Sequence, residues 1–287
     1  MKEKYDKITG FADEIDGSLT LQIDSLRKLG IKYVEMRGVD GNNLIYHDDA
    51  KVKEIKSRLD DAGISLSALG SPLGKIGITD PFEKHFEEFK RAVEVAHMMD
   101  TRNIRMFSFY IPGDDKASRE MYKEQVFERL GKFVDYAKAN DVLLLHENEK
   151  GIYGEKAPEC RELMEELGCD SFKAICDFAN FVQAGQDTLE AFELLKDYIV
   201  YVHVKDALWE TGKVVPAGYG DGNVKIILDH LFADGFNGFL SLEPHLFEFK
   251  GLAELEKGGN KTEIENARNL TGFEAFSLAH ESLMKIL

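Results

Sequence analysis

Cysteine, basic runs and long apolar stretches are what this 287-residue sequence is short of. Its three cysteines, Cys160, Cys169 and Cys176, are too few and too irregularly spaced for a disulfide framework, and none forms a C-x-x-C pair. They read as reduced thiols, which sets the expectation of a cytoplasmic protein. Nowhere do about 18 uncharged apolar residues follow one another, and the charged start Met-Lys-Glu-Lys-Tyr-Asp-Lys has no apolar segment behind it, so neither a membrane span nor a targeting signal is expected. Runs of Lys and Arg are missing too. Against 52 acidic side chains the 36 basic ones leave a net charge of −16, and such a mean field repels nucleic acid. A glycine-rich dinucleotide turn or P-loop is also absent: the first strand-to-helix junction reads Phe-Ala-Asp-Glu-Ile-Asp-Gly, which argues against a doubly wound open sheet.

What the sequence does have is alternation. Short β-branched or aromatic runs are predicted as strands at Ile8 to Ala12, Lys32 to Met36, Ser65 to Leu69, Asn103 to Phe107, Val142 to His146, Ala174 to Asp177, Val200 to Val204 and Gly238 to Leu242. Each is followed by a segment of helical period. The first helix opens near Ser18, buries Ile23, Leu26 and Leu29, and stops at Gly30; the second starts at Asp48-Asp49 and ends at Gly63. Asp80-Pro81 supplies an N-cap and first turn for the third, whose Phe82, Phe86, Phe89, Val93 and Ala96 share one face. Eight such units without a composition break predict a single α/β domain over 1–287, a closed (β/α)8 TIM barrel, with a solvated insertion at 247–271 after strand eight. The glycine-rich stretch Ala217 to Gly222 follows strand seven at a distance and lacks the P-loop Lys; it reads as a loop, with contact to an anionic substrate group as the other reading.

In such a barrel, chemistry collects at the carboxyl ends of strands. Strands five to eight end in Glu147, Asp177, His203 and Glu243, each one βα unit after the last. Singly, each reads as a cap, a loop residue or a core histidine. Together, three carboxylates and an imidazole at one mouth would repel and suffer desolvation unless a cation neutralised them. An oxygen-rich set with one nitrogen suits Mn²⁺, Mg²⁺ or Co²⁺, and Zn²⁺ also accepts it. Residues two apart on a strand share a face, which adds further substrate-binding candidates. Lys205 follows His203 and either meets an enediolate or phosphate or bridges carboxylates; Glu149 and His245 lie beyond Glu147 and Glu243 at the rim; Glu35 and Arg37 on strand two either touch substrate or hold the barrel together. Asp13 and Glu14 either reach the mouth or cap the first helix, Lys75 in a Gly/Pro-broken loop is a candidate anion binder, and Arg105 is expected to pair inside the barrel. Phe107, Phe109, Tyr110 and Trp209 either wall a sugar ring or pack the core.

Glu147 in L-H-E-N, Asp177 in I-C-D-F, His203 in V-H-V-K-D and Glu243 in L-S-L-E, with Gly-Ile-Lys-Tyr-Val-Glu35-Met-Arg37 on strand two, resemble the xylose-isomerase-like TIM barrels, a group that includes sugar-phosphate isomerases and epimerases, tagatose-type 3-epimerases and inosose dehydratases. The resemblance spans nearly the whole chain. It implies one divalent metal on those four residues, chelating two oxygens of a hydroxy-ketone sugar, with Glu147 and Glu243 as the catalytic pair that exchanges the proton at the adjacent carbon through an enediolate. Implied partners are a small carbohydrate and further copies of the chain, with no nucleic acid and no membrane. The same intermediate can expel a hydroxyl, so a dehydratase or lyase stays open. One departure stands out: the epimerases resemble D-x-x-H after strand six, whereas this chain has Asp177-Phe-Ala-Asn180. An endonuclease-IV-like nuclease would call for more histidine ligands and a basic face.

Overall fold

Because each apolar run is bounded by turn residues and separated from the next by a helix, successive strands lie parallel, and the chain winds into a barrel. The computed structural model describes residues 5–113, 115–246 and 270–287. Its strands are β1 (Ile8–Gly10), β2 (Tyr33–Met36), β3 (Ser65–Leu69), β4 (Asn103–Met106), β5 (Leu143–Glu147), β6 (Phe172–Asp177), β7 (Ile199–Val204) and β8 (Phe239–Leu242). They form one parallel sheet in the order β1-β8-β7-β6-β5-β4-β3-β2, and β1 and β2 come into contact to bring the barrel nearly to closure. The (β/α)8 architecture is as predicted.

Around it run α1 (Leu19–Leu29), α2 (Asp49–Asp61), α3 (Phe82–Met98), α4 (Lys116–Ala139), α5 (Ala157–Leu167), α6 (Phe178–Gln183), α7 (Thr188–Leu195), α8 (Val224–Ala233) and α9 (Gly272–Ile286). Gly30 ends α1 in the left-handed conformation, and the Asp48 carboxylate caps α2 by accepting from Lys51 N–H. Pro81, not Asp80, is the N-cap of α3, because the Asp80 carboxylate accepts from Gly77 N–H and closes the preceding turn instead. The sequence period also misses α6, too short to show one, which starts on the residue after Asp177. Most of the expected insertion lies outside the described residues; its last residue, Thr271, caps α9 in a reciprocal pair with Glu274. The main core fills the space between strands and helices. Phe133 of α4 is its aromatic centre there, 4.6 Å from Phe89 and 5.4 Å from Phe82.

At the carboxyl ends, the loops after β3, β4 and β5 zip together through bridges of Tyr110 to Gly77 and to Ile152, giving one side of the mouth a wall of paired backbone.

Candidate active site

The period of two along each strand decides what faces the barrel axis. Tyr201 lies two residues before His203, and Ser241 two before Glu243, so one layer of polar groups underlies another. In the lower layer Thr9 and Ser67 hydroxyls are 2.8 Å apart, Ser67 meets Tyr201 Oη at 3.1 Å, and Tyr201 donates to Glu35 Oε2 at 2.9 Å. Ser241 donates to the same oxygen at 2.6 Å, and His203 Nε2 lies 3.1 Å from it. Glu35 is fully buried with its acceptors occupied. It orients His203 from below, with all its hydrogen bonds made to residues inside the barrel.

In the upper layer one ligand atom from each of Glu147, Asp177, His203 and Glu243 lies within 4.8 Å of the other three, and all four residues are buried. His203 Nδ1 is 2.9 Å from Glu147, 3.6 Å from Glu243 and 4.0 Å from Asp177. With Nε2 left for Glu35, this is the arrangement in which a carboxylate fixes a metal-ligating imidazole. Asp177 serves two ends: Oδ1 accepts from Asn180 N–H at 2.8 Å and caps α6, while Oδ2 is buried and accepts no hydrogen bond. Lys205 Nζ lies 3.2 Å from Oδ2 as an ion pair without hydrogen-bond alignment. An orphaned buried carboxylate oxygen within a ring of oxygen and nitrogen ligands fits a divalent cation.

Electrostatics separates the carboxylates. Burial pushes Glu147 up, but His203 and Arg105 outweigh it and hold the carboxyl down at about 2. Burial acts on Glu243 likewise, yet Lys205 and His245 hold it well below the usual range. For Asp177 burial wins and raises the carboxyl to about 7, with Lys205 offsetting only part. Burial disfavours the His203 imidazolium, but Glu147 and Glu35 raise it well above its ordinary value.

Two arginines complete the layer. Arg105 pairs inside the barrel as expected, its Nη1 donating to Glu147 Oε2 at 3.1 Å. Arg37 pairs with Asp13 at 2.8 Å, Glu14 at 3.4 Å and Glu243 at 3.5 Å, so it too is occupied by carboxylates. Asp13 and Glu14 thus reach the mouth; α1 is opened instead by Ser18, whose N–H donates to Asp16. His245 donates its backbone N–H to Glu14 at 2.8 Å and sets Nε2 3.3 Å from Glu243. Lys205 bridges Asp177 and Glu243, the salt-bridge reading of the sequence. Asn180 Nδ2 lies 3.4 Å from Glu147 Oε1, so the amide that stands in the position of the epimerase histidine does face the cluster. Lys75 and Glu149 pair with each other at 2.8 Å on the rim, which satisfies the charge read as a free anion binder. Phe109 packs against Phe82 and Phe133 in the core, and Trp209 is half exposed on the loop after β7. Phe107 lies under Lys75 and Arg105.

The glycine-rich loop is resolved by a residue that sequence reasoning passed over. Asp206, fully buried, accepts from Gly218 and Gly220 N–H on Oδ2 and from Gly222 and Ala207 N–H on Oδ1, at 2.8–3.0 Å. A Cβ on Gly220 or Gly222 would come within 2.5 and 2.7 Å of Asp206 Oδ1, so only glycine lets the backbone close around the carboxylate. The anion nest is filled by the chain's own acid, and an external anionic group has no place in it. The signal was there, an acidic residue followed by glycines at every second position.

His146, one residue from Glu147, points the other way. Gly154 N–H donates to Ser108 Oγ at 2.8 Å, so the Ser108 hydroxyl proton is free to donate to His146 Nε2, 3.0 Å away. The imidazole is neutral, and burial lowers it from 6.5 to about 4. Its contribution is complete above pH 6.5 and is lost as pH falls toward 4, because the unfolded chain then binds the extra proton. The expected loss over that window is on the order of 3 kcal/mol. Urea unfolding at stepped pH checks it, and His146→Gln, which keeps an acceptor but cannot titrate, should flatten the dependence; equal slopes in both proteins would refute the assignment.

Comparison with known proteins follows the same lines. The family model described as xylose isomerase-like TIM barrel matches residues 23–267. The chain belongs to this family. Among curated relatives, a 3-dehydroshikimate dehydratase of Bacillus anthracis is 21% identical over 177 residues, covering 62% of this chain and 62% of the dehydratase. The alignment therefore spans under two thirds of that relative. Solved structures of the same fold include IolI with a bound zinc atom (TM-score 0.74, 18% identity, 98% of this chain and 97% of that one). A xylose isomerase-like TIM barrel protein from Mycobacterium smegmatis in complex with magnesium matches at TM-score 0.68, 15% identity, covering 99% and 96%. So does the apo 3-keto-D-glucoside 4-epimerase YcjR from E. coli, at TM-score 0.68, 14% identity and 99% of both chains. Family members of this kind are enzymes. No helix among the described residues is long and apolar enough to cross a membrane.

Proposed function

We propose that this xylose isomerase-like barrel is a divalent-metal-dependent isomerase or epimerase of a sugar, sugar phosphate or related polyol ketone. One observation carries the reading: two buried carboxylates, Glu147 and Glu243, both kept ionised, flank the same imidazole at 2.9 and 3.6 Å. A divalent ion held by Glu147, Asp177, His203 and Glu243 would polarise the carbonyl of a hydroxy-ketone and so acidify the neighbouring C–H. Glu147 takes up that proton from one side and Glu243 returns one from the other, or the reverse. Arg105 fixes the Glu147 carboxylate in place, and Asn180 offers a neutral amide donor beside it. Lys205 holds Glu243 and places positive charge where a substrate oxygen would gain negative charge.

Lys205 also supports a second reading. The proton taken up by Glu147 or Glu243 can pass to a hydroxyl on the next carbon, with the Lys205 ammonium 3.1 Å from Glu243 offsetting negative charge there, and the abstraction then ends in loss of water, the kind of reaction named for the Bacillus relative. One experiment separates the two: protein purified without chelators is assayed for divalent metal, then incubated with a panel of keto sugars and cyclic polyol ketones in D₂O under NMR. Deuterium at the carbon beside the carbonyl with an isomer as product supports the first reading, and an unsaturated product the second. Absence of stoichiometric metal and of exchange into every compound would sink both.

A further inference from the structure

Glu147 and Glu243 stand on β5 and β8, yet the guanidiniums that hold them rest on one phenylalanine. Arg105 Nη1 donates to Glu147 Oε2 at 3.1 Å, and Arg37 Nη1 lies 3.5 Å from Glu243 Oε1. The Cζ of Arg37 is 4.5 Å, and that of Arg105 4.8 Å, from the centre of the Phe11 ring. The same ring meets His203 edge-on, with centres 5.2 Å apart and planes at 77°. Phe11 is fully buried at the end of β1, and its backbone N–H donates to the carbonyl of Leu242, the residue before Glu243, at 3.0 Å.

We propose that Phe11 is a positioning residue for both acid–base carboxylates and for the imidazole between them. The assignment rests on the roles proposed above for Glu147 and Glu243. Its physical basis is that a guanidinium spreads its charge over a flat, weakly hydrated face, which the negative face of an aromatic ring attracts within about 6 Å of the centroid. Arg105 depends on that contact. Its Nε is buried without a hydrogen-bond partner among the described residues, and Nη2 reaches Gly70 O only at 3.4 Å. One good hydrogen bond to Glu147 does not fix a plane; the faces of Phe11 and Phe107, the latter 5.1 Å away, do. Arg37 is anchored along one edge by Asp13, at 2.8 and 3.3 Å, and the ring sets the tilt that points Nη1 at Glu243. Space for the stack is made at Gly70, where a Cβ would fall 2.8 Å from Phe11 Cε1 and 2.9 Å from Arg37 Cβ. Leucine would fill most of the ring's volume but offers neither a face to the arginines nor an edge to His203.

The test uses the metal-free 287-residue chain with ¹⁵N-labelled arginine. Rotation about the Cζ–Nε bond is expected to be slow for both Arg37 and Arg105 in the wild type and at least about tenfold faster for both in Phe11→Leu, with the far-UV spectrum unchanged. Phe11→Met replaces it should the leucine variant not fold. In a second arm, Mn²⁺ titration read by electron paramagnetic resonance should show Phe11→Leu and Arg105→Lys each weakening binding by about tenfold. The double variant should be no weaker than the worse single one, since both remove the same support. Unchanged rotation in either arginine, or additive losses in the double variant, would overturn the proposal. A wild type that takes up no Mn²⁺ would instead remove the proposed function, leaving the rotation arm to decide on Phe11.

Discussion

Glu147→Gln is expected to lower proton exchange at the substrate carbon by about a thousandfold, within the range that a positioned general base contributes. The substitution keeps the shape of the side chain and one oxygen to accept from Arg105, so the barrel should remain folded. What it removes is the negative charge that His203 and Arg105 hold in place against burial, and with it the capacity to receive a proton. Glu243→Gln is expected to fall as far if the reaction passes a proton across two sides, and the comparison is informative either way. An epimerase needs both carboxylates; an exchange into bulk D₂O that needs only Glu147 would assign the abstraction step to that residue alone. The measurement is the rate of deuterium incorporation at saturating Mn²⁺, normalised to bound metal. Retention of more than about a tenth of the wild-type rate would remove Glu147 from the chemistry.

The largest expected effect on stability lies outside the cluster of Glu147, Asp177, His203 and Glu243. Asp206→Ala leaves four backbone N–H groups of the loop after β7 without their acceptor. Two of these donors, on Ala207 and Gly222, are buried, and each buried donor left unpaired costs about 1–3 kcal/mol, so a loss of about 2–6 kcal/mol in urea unfolding is expected. Asp206→Asn should cost roughly half as much, since its one oxygen serves one pair of donors while its NH₂ opposes the other. Added formate, a carboxylate of the right size, should recover part of the alanine variant's stability and none of the asparagine variant's. A loss under about 1 kcal/mol for the alanine variant would show that the loop finds other partners. Activity should fall as well, because Asp206 directly follows Lys205 and the loop it gathers borders Phe178, the residue after Asp177.

How much of this was legible beforehand differs from residue to residue. Glu147, Asp177, His203 and Glu243 could be picked out because a barrel converts strand order into angular position, and each is a polar residue ending an apolar run one βα unit after the last. Lys205 followed from the same geometry by parity, whereas Asn180 was picked out by the resemblance, as the residue standing where the epimerases resemble D-x-x-H. Which of two readings each residue takes was another matter. Lys205 could have been free or paired; the structure places it between two carboxylates. Glu35 and Arg37 share a strand face but work at different depths, Glu35 below His203 and Arg37 among Asp13, Glu14 and Glu243. Lys75 and Glu149, 74 positions apart, meet on the rim through loops whose path no periodicity specifies.

The sequence by itself determined the βα alternation, the acidic exterior and the set of side chains brought to the mouth, because those depend on local period and on composition. Only the tertiary structure decided who partners whom. Phe11, an apolar residue with no chemical signal, becomes the support of two arginines, and a glycine-rich turn that looks ready for a phosphate closes on Asp206 instead. Both outcomes rest on contacts across the barrel or within folded loops. There a buried charge must find a counter-charge or a hydrogen bond, and the cost of leaving it without one selects the partner that position alone does not name.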